Sequence, residues 1–444
     1  MTPVNVHDTP LNHKIWGIAG PMILANVSVP LLGLVDTAIL GHLDNARYLA
    51  AVAIGSTLLS FLYWGFGFLR MGTTGASAQS RHRPPSPEVV LLQAMLLALF
   101  IACAILLGAR HLVPVATQWM NTPAESLALA EQYLNIRLYS APAVLLNYAI
   151  VGWLLGQQQA RWPLIIALVT NGLNIGLDWL LIIHWHGLTE GAARASVIAE
   201  YCGLLVGLFA VRHSIRRWPI DKQWWRHALI SRQYGRFISA NRHLFFRTLL
   251  LLGAFAFFTA QGARLGTEIL AANAILLQLV FFSAHGLDGF AHASEALSGD
   301  AVGARSRNYF YAVCKGCAYW TGLTALLISA FFWLAEDPVI ATMSDIQSVR
   351  QLTADYYFWL ILMPVVSAAS YLLDGIFIGA LHTRWMFYTM MLSVIAVFLP
   401  IWYLALDLGN HGLWLSFIAF NAARGVSLGW VFVRLSRQNR WWAA

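Results

Sequence analysis

Charge is what this sequence has least of. Of its 444 residues only 11% are Asp, Glu, Lys or Arg, against about 25% in an ordinary soluble domain. So few polar groups could not cover the surface of a water-soluble fold of this length. A soluble enzyme or binding domain is therefore excluded. Cysteine is scarce as well. Cys103, Cys202, Cys314 and Cys317 all fall in or beside apolar runs, so no disulfide framework is implied. Cys314-Lys-Gly-Cys317 has the spacing of a redox pair, but it opens an apolar helix rather than a βαβ unit. Catalytic signatures are missing: there is no His-Glu-x-x-His, no Gly-x-Ser-x-Gly, no phosphate loop and no aspartate-rich pair. Neither an enzyme, a bound metal nor an organic cofactor is expected. A cleavable leader is not expected either, because Met1 to Lys14 are polar and the first apolar run ends in Val35-Asp36-Thr37.

What is abundant is apolar surface. Hydrophobic residues make up 59% of the chain, and the mean hydropathy is +0.62. A membrane span needs roughly 20 mainly apolar residues. On that scale twelve segments emerge, at 15–40, 48–79, 89–110, 131–157, 162–184, 191–212, 244–263, 269–298, 309–334, 356–380, 386–406 and 412–434. The net charge of +8 has no soluble body on which to form a nucleic-acid face, so no nucleic-acid partner is expected. Its distribution instead reports orientation. With the N-terminus inside, 19 of the 28 basic residues fall in cytoplasmic segments and four in outer ones. That asymmetry predicts a multi-pass protein with both termini cytoplasmic. Residues 213–243 are expected to form a basic linker, rich in Trp, Arg and Lys, at headgroup level.

The linker divides two similar halves, 1–212 and 244–444. A shift of 223 lays Tyr133 on Tyr356, Tyr148 on Tyr371, Gly152 on Gly375, Gly156 on Gly379 and Arg161 on Arg384. Shifts of 222 and 221 align Gly203, Gly207 and Arg212 with Gly425, Gly429 and Arg434, and Leu49-Ala50-Ala51 with Leu270-Ala271-Ala272. Six spans per copy is an even number, so the repeats are parallel and related by an axis along the membrane normal. The Gly-x-x-x-Gly pairs allow close helix packing within each half.

Ionisable residues inside spans cost a few kcal/mol or more and need a reason. Six acidic residues are so placed: Asp36, Asp178, Glu200, Asp288, Glu295 and Asp374. At 1.5 Å per residue Asp36 lies ~8 Å from the outer end of its helix, Asp178 ~9 Å, Ser196 ~8 Å and Glu200 ~14 Å. Asn171, Asn174 and Asp178 share one helical face, as do Ser196 and Glu200. Several carboxylates crowded in low dielectric cannot all ionise cheaply, so the cluster is suited to bind a proton or a hard cation such as Na⁺. The matching second-half positions are apolar: Phe257 or Phe258, Ala396 or Val397, Pro400 or Ile401, and Ala422. That half instead carries Asp288, Glu295, Asp374 and Arg424, read either as an internal ion pair of Arg424 with Asp288 or Asp374, or as a second site. Pro21 and Pro30 lie upstream of Asp36, where a proline lets a helix bend. Aromatic residues such as Trp64, Phe66, Phe68, Phe257, Phe258, Phe281, Phe282 and Tyr371 are candidates to line a cavity for flat cations.

The runs PMILANVSVPLLGLVDTAILGHL, LYSAPAVLLNYAIVGWLLGQQQAR, NGLNIGLDWLLI and SYLLDGIFIGA resemble the multidrug and toxic compound extrusion (MATE) transporters, in particular the DinF-type bacterial branch. The resemblance covers nearly the whole chain. It implies an all-α membrane fold of twelve helices in two six-helix bundles forming a V, and cation-coupled export of amphipathic drugs from a bacterial inner membrane. The branch's first-lobe site carries over onto Asp36, Asn174, Asp178 and Ser196, the last often Thr in the family, and its bending proline onto Pro21. Sodium-coupled relatives place their cation in the second lobe, where Asp288 and Asp374 sit here; that pattern matches less well and favours protons. The expectation is thus a monomeric, proton-coupled antiporter surrounded by lipid, working by alternating access with Glu200 tuning the site. A Na⁺-coupled antiporter and a lipid or oligosaccharide flippase are the alternatives.

Overall fold

Within a bilayer no water satisfies backbone N–H and C=O groups, so each apolar run must close its hydrogen bonds internally as a helix. The computed structural model describes residues 10–41, 45–120, 124–215 and 232–442, and among these it contains helices and turns but no strand. In chain order the helices are α1 (Leu11–Gly41), α2 (Ala46–Gly65), α3 (Phe68–Ser80), α4 (Pro87–Trp119), α5 (Ala124–Leu138), α6 (Ala141–Gly156), α7 (Arg161–Asp178) and α8 (Leu188–Ile215). They continue as α9 (Arg232–Leu265), α10 (Thr267–Gly303), α11 (Arg307–Leu334), α12 (Glu336–Met343), α13 (Gln347–Gly379), α14 (Thr383–Leu392), α15 (Leu399–Leu404) and α16 (Asn410–Arg437). A π-helical turn over Trp179–His184 extends α7, and another over Ser393–Phe398 joins α14 to α15.

Among the described residues ten helical stretches are long and apolar enough to cross a membrane, and α5 with α6 forms a further pair bent by 48°. With the 31-residue α1, every one of the twelve expected spans has its helix. The ends differ from the reading of the sequence. The sixth span begins at Leu188 rather than Gly191, and the seventh helix at Arg232 rather than 244. Hydropathy detects only the part of a helix that needs hydrocarbon around it, whereas backbone hydrogen bonding runs on into polar flanks. The expected linker shortens accordingly: 213–215 and 232–243 are helical, and 216–231, with Trp218, Trp224 and Trp225, lie outside the described residues.

The chain divides into two compact units, Leu24–Ile238 and Met1–Ile23 with Ser239–Ala444. The start of α1, expected in the first half, packs with the second. Trp16 meets Phe290 and Trp320 edge-on, each with ring centroids 5.2 Å apart, and the Trp320 indole donates to Asn12 Oδ1 at 3.2 Å. Helix α1 is unbroken through Pro21 and Pro30, yet its packing partner changes two residues after Pro21.

Each unit contains a very close helix crossing at matching positions of the repeat. In the first, Gly152 and Gly156 of α6 lie on α3, where a Cβ would overlap the carbonyls of Arg70 and Thr74. Ser77 Oγ donates across this crossing to the Trp153 carbonyl at 2.9 Å. In the second, Gly375 and Gly379 of α13 meet the Ala291 and Glu295 carbonyls of α10 as closely, and Ser298 Oγ donates to the Ile376 carbonyl at 3.4 Å. Ser77 and Ser298 are 221 residues apart, so the repeat extends to a hydrogen bond. The second unit has a large aromatic core, in which Phe258, Trp414, Phe417 and Phe420 are fully enclosed. Phe258 meets Trp414 edge-on at 5.0 Å and Phe257 meets Trp402 at 4.8 Å. These two phenylalanines, read from sequence as cavity candidates, are core packing.

Candidate functional site

In the first unit α7 presents Asn171, Asn174 and Asp178 on one face. Asn174 Nδ2 donates to Asp178 Oδ2 at 2.6 Å, one helical turn apart. Asp178 is 2% exposed, so its carboxyl is shielded from water and depends on neighbouring groups for its hydrogen bonds. Asn171 Nδ2 donates to Ser28 Oγ at 2.8 Å, tying α7 to α1 two turns before Asp36. The side chain of Asp36 lies outside the described residues, although its backbone is part of α1.

The other two first-unit candidates turn elsewhere. Ser196 is buried, but its hydroxyl donates to the Ala192 carbonyl of its own helix at 3.1 Å. Because α8 starts at Leu188, Ser196 and Glu200 are one turn farther from their helix end than expected, ~12 and ~18 Å. Glu200 is within electrostatic reach of Arg137. Arg137 lies at the end of α5, where the α5–α6 pair bends, and its Nη1 donates to Ser140 Oγ at 2.9 Å. The same hydroxyl is 3.2 Å from Tyr63 Oη. Arg137 was missed in the sequence, though an arginine inside an apolar run is itself the signal.

In the second unit the intramembrane acids carry counter-charges. Asp374 Oδ2 accepts from Arg424 Nη2 at 2.8 Å and, at closer range, from Arg247 Nη2. All three residues are buried. Of the two partners read for Arg424, Asp374 is the one it pairs with; Arg247 is a second cation that sequence reasoning passed over. Asp288 lies within electrostatic reach of Arg247, so two carboxylates stand beside two guanidiniums. Glu295 is not part of this group: its Oε2 is 3.5 Å from His292 Nδ1, both residues buried. No cluster of three or more His, Cys, Asp or Glu suited to a metal occurs among the described residues.

The fold and these buried polar groups define a polytopic helical membrane protein with protonatable or ion-paired residues inside the bilayer, which is the composition of a transporter. The MatE family model matches residues 21–180 and again 244–404, one match per repeat. The chain belongs to the MatE family. It is 42% identical over 439 residues to DNA damage-inducible protein F of Escherichia coli (strain K12), covering 98% of this chain and 95% of that protein. It is 23% identical to a probable multidrug resistance protein NorM of Bacillus cereus (strain ATCC 10987 / NRS 248), over 88% of this chain and 85% of that one. The crystal structure of MATE in complex with MaD5 superposes with a TM-score of 0.87 at 18% identity, covering 99% of this chain and 100% of that chain. The fold is therefore the twelve-helix MATE fold.

Proposed function

We propose that the protein is a secondary active efflux transporter that exchanges amphipathic, cationic drugs for protons, coupled through the first-unit carboxylates. One observation carries this reading: Asp178 is buried and hydrogen-bonded to a neutral amide, whereas the buried Asp374 is held by two arginines. A carboxyl beside an amide can take up and release a proton without leaving a buried cation behind. A carboxylate clamped between two guanidiniums is needed as an anion to keep them paired. Asp36 and Asp178 are then the exchanging groups, Asn174 fixes the Asp178 rotamer, and Ser196 and Glu200 shape the surrounding field. A proton entering down a 100 mV potential supplies about 2.3 kcal/mol. The location that follows is a bacterial inner membrane, with both termini cytoplasmic.

The alternative of a flippase calls for buried cations available to a phosphate. Arg247 and Arg424 are buried, but both already donate to Asp374, which speaks against it. Proteoliposomes loaded with a pH indicator test the proposal. Adding a fluorescent cationic drug should release protons from the protein in the absence of Na⁺, and Asp178→Asn should abolish that release. Release that requires Na⁺, or survives in Asp178→Asn, would overturn it.

A further inference from the structure

The second unit ends in a strap. After α16 the chain turns at Asn439, in the left-handed region at φ 52°, and the Arg440 amide donates to the Leu435 carbonyl at 3.0 Å. Trp441 is thereby pressed into the fold, fully buried against Phe310, Phe377 and Phe432. Its indole donates to Ser436 Oγ at 3.0 Å. Beneath the strap lies a cavity of about 180 Å³ walled by His382, Trp385, Arg434, Gln438 and Arg440. At about 30 Å³ per water it has room for about six waters, enough for a small polar group.

The repeat shows how the lining of this hollow differs from the matching positions of the first unit. In the first unit the equivalent of His382 is Gln159, whose Oε1 accepts from Ser214 Oγ at 2.6 Å. Ser214 corresponds to Ser436. In the second unit Trp441 takes the serine, and the histidine is left with its ring edge-on to Trp441 at 5.5 Å. Nε2 is buried with no hydrogen-bond partner. Arg434 and Arg440 have no carboxylate partner among the described residues, and no acid lines the cavity. A second basic hollow is lined by Arg305, Arg307, Asn439 and Trp442.

We infer that this strap cavity is a binding site for the phosphate headgroup of an anionic phospholipid, held by Arg434 and Arg440 with His382 at its base. Two guanidiniums that lack a carboxylate partner among the described residues match a phosphate's oxygens in charge and geometry. The source is lipid rather than free phosphate, because the site sits where a membrane helix ends and is ringed by interfacial side chains. Arg434 stacks over the exposed Trp430 ring at 5.4 Å and Arg384 over Tyr388 at 5.4 Å, an aromatic and basic belt of the kind found at headgroup level. Basic pockets at the cytoplasmic ends of membrane helices bind such headgroups. The inference does not depend on which ion drives transport.

Native mass spectrometry of the detergent-purified full chain, titrated with phosphatidylglycerol or phosphatidylcholine, tests it. Phosphatidylglycerol should bind saturably and phosphatidylcholine should not. Arg434→Gln with Arg440→Gln should weaken phosphatidylglycerol binding about thirtyfold, Arg434→Lys with Arg440→Lys should retain most of it, and Arg264→Gln, on an exposed arginine elsewhere, should not change it. Equal retention of the two lipids, or unchanged binding in the double Gln variant, would overturn the site. Displacement of the lipid by inorganic phosphate at equal concentration would overturn the assignment to lipid. If the Gln variant is not monodisperse, the contrast between the two lipids on the unaltered protein still decides.

Discussion

The two units share a scaffold and differ in what they bury. Both close on a pair of glycines four residues apart and on a serine that donates across the same helix crossing. Into that shared frame the first unit places an amide beside a carboxyl, Asn174 to Asp178. The second places an aromatic core and a carboxylate between two arginines, Asp374 with Arg247 and Arg424. Close backbone packing is the property a repeat must preserve, because there is no hydrophobic drive between helices in lipid and small residues supply the contact. The polar groups are free to diverge. One unit can then bury a carboxyl beside an amide while the other holds Asp374 between two arginines.

The sharpest way to break this comparison is to neutralise the two buried aspartates in turn. Asp178→Asn should abolish drug-driven proton release in proteoliposomes. Its stability should change by only about 1 kcal/mol, since an amide can still accept from Asn174. Asp374→Asn should act on stability, costing about 3–5 kcal/mol in thermal unfolding because two buried guanidiniums lose their anion. Replacing Asp374, Asp288, Arg247 and Arg424 together by apolar residues of similar size should recover most of that loss. An Asp374→Asn protein as stable as the original would remove the contrast between the units.

The shared frame is probed by matched substitutions. Gly156→Ala and Gly379→Ala should each destabilise by about 1–3 kcal/mol through overpacking against a backbone that cannot yield, and by similar amounts. A large difference between them, read as a shift in melting temperature, would show that the crossings are not equivalent.

The smallest expected effect is at the strap. Burial holds the His382 imidazole below its ordinary value of 6.5, so the folded state prefers it neutral. The stability from this site should be complete above about pH 6.5 and decline as pH falls toward the depressed value, because the unfolded chain then binds the proton first. His382→Gln, which resembles its first-unit counterpart Gln159, should flatten that decline in melting temperature between pH 7 and 5.

The Asn174–Asp178 contact of the candidate site was legible in the sequence because it is local. Asn174 and Asp178 are one turn apart on one helix, and their i, i+4 spacing dictates that they meet. Ser196 and Glu200 show the limit of the same reasoning. Their spacing put them on one face of α8, but spacing says nothing about which neighbour that face meets. Ser196 bonds its own helix and Glu200 has Arg137 as its charge neighbour. Arg247 was hidden for a similar reason: it is one basic residue just past a basic stretch, and only the approach of α9 to α13 gives it Asp374.

By itself the sequence determined a helical membrane protein of twelve spans in two related halves, because a bilayer forces apolar runs of that length into helices and a repeat leaves matched glycines. It also determined that a few acidic residues, Asp178 and Asp374 among them, would lie inside. Tertiary structure alone decided how those charges pair, that the start of α1 packs with the second unit, and that a C-terminal tryptophan opens a basic hollow. Each of those depends on side chains distant in sequence arriving at one point, and residue order does not encode that distance.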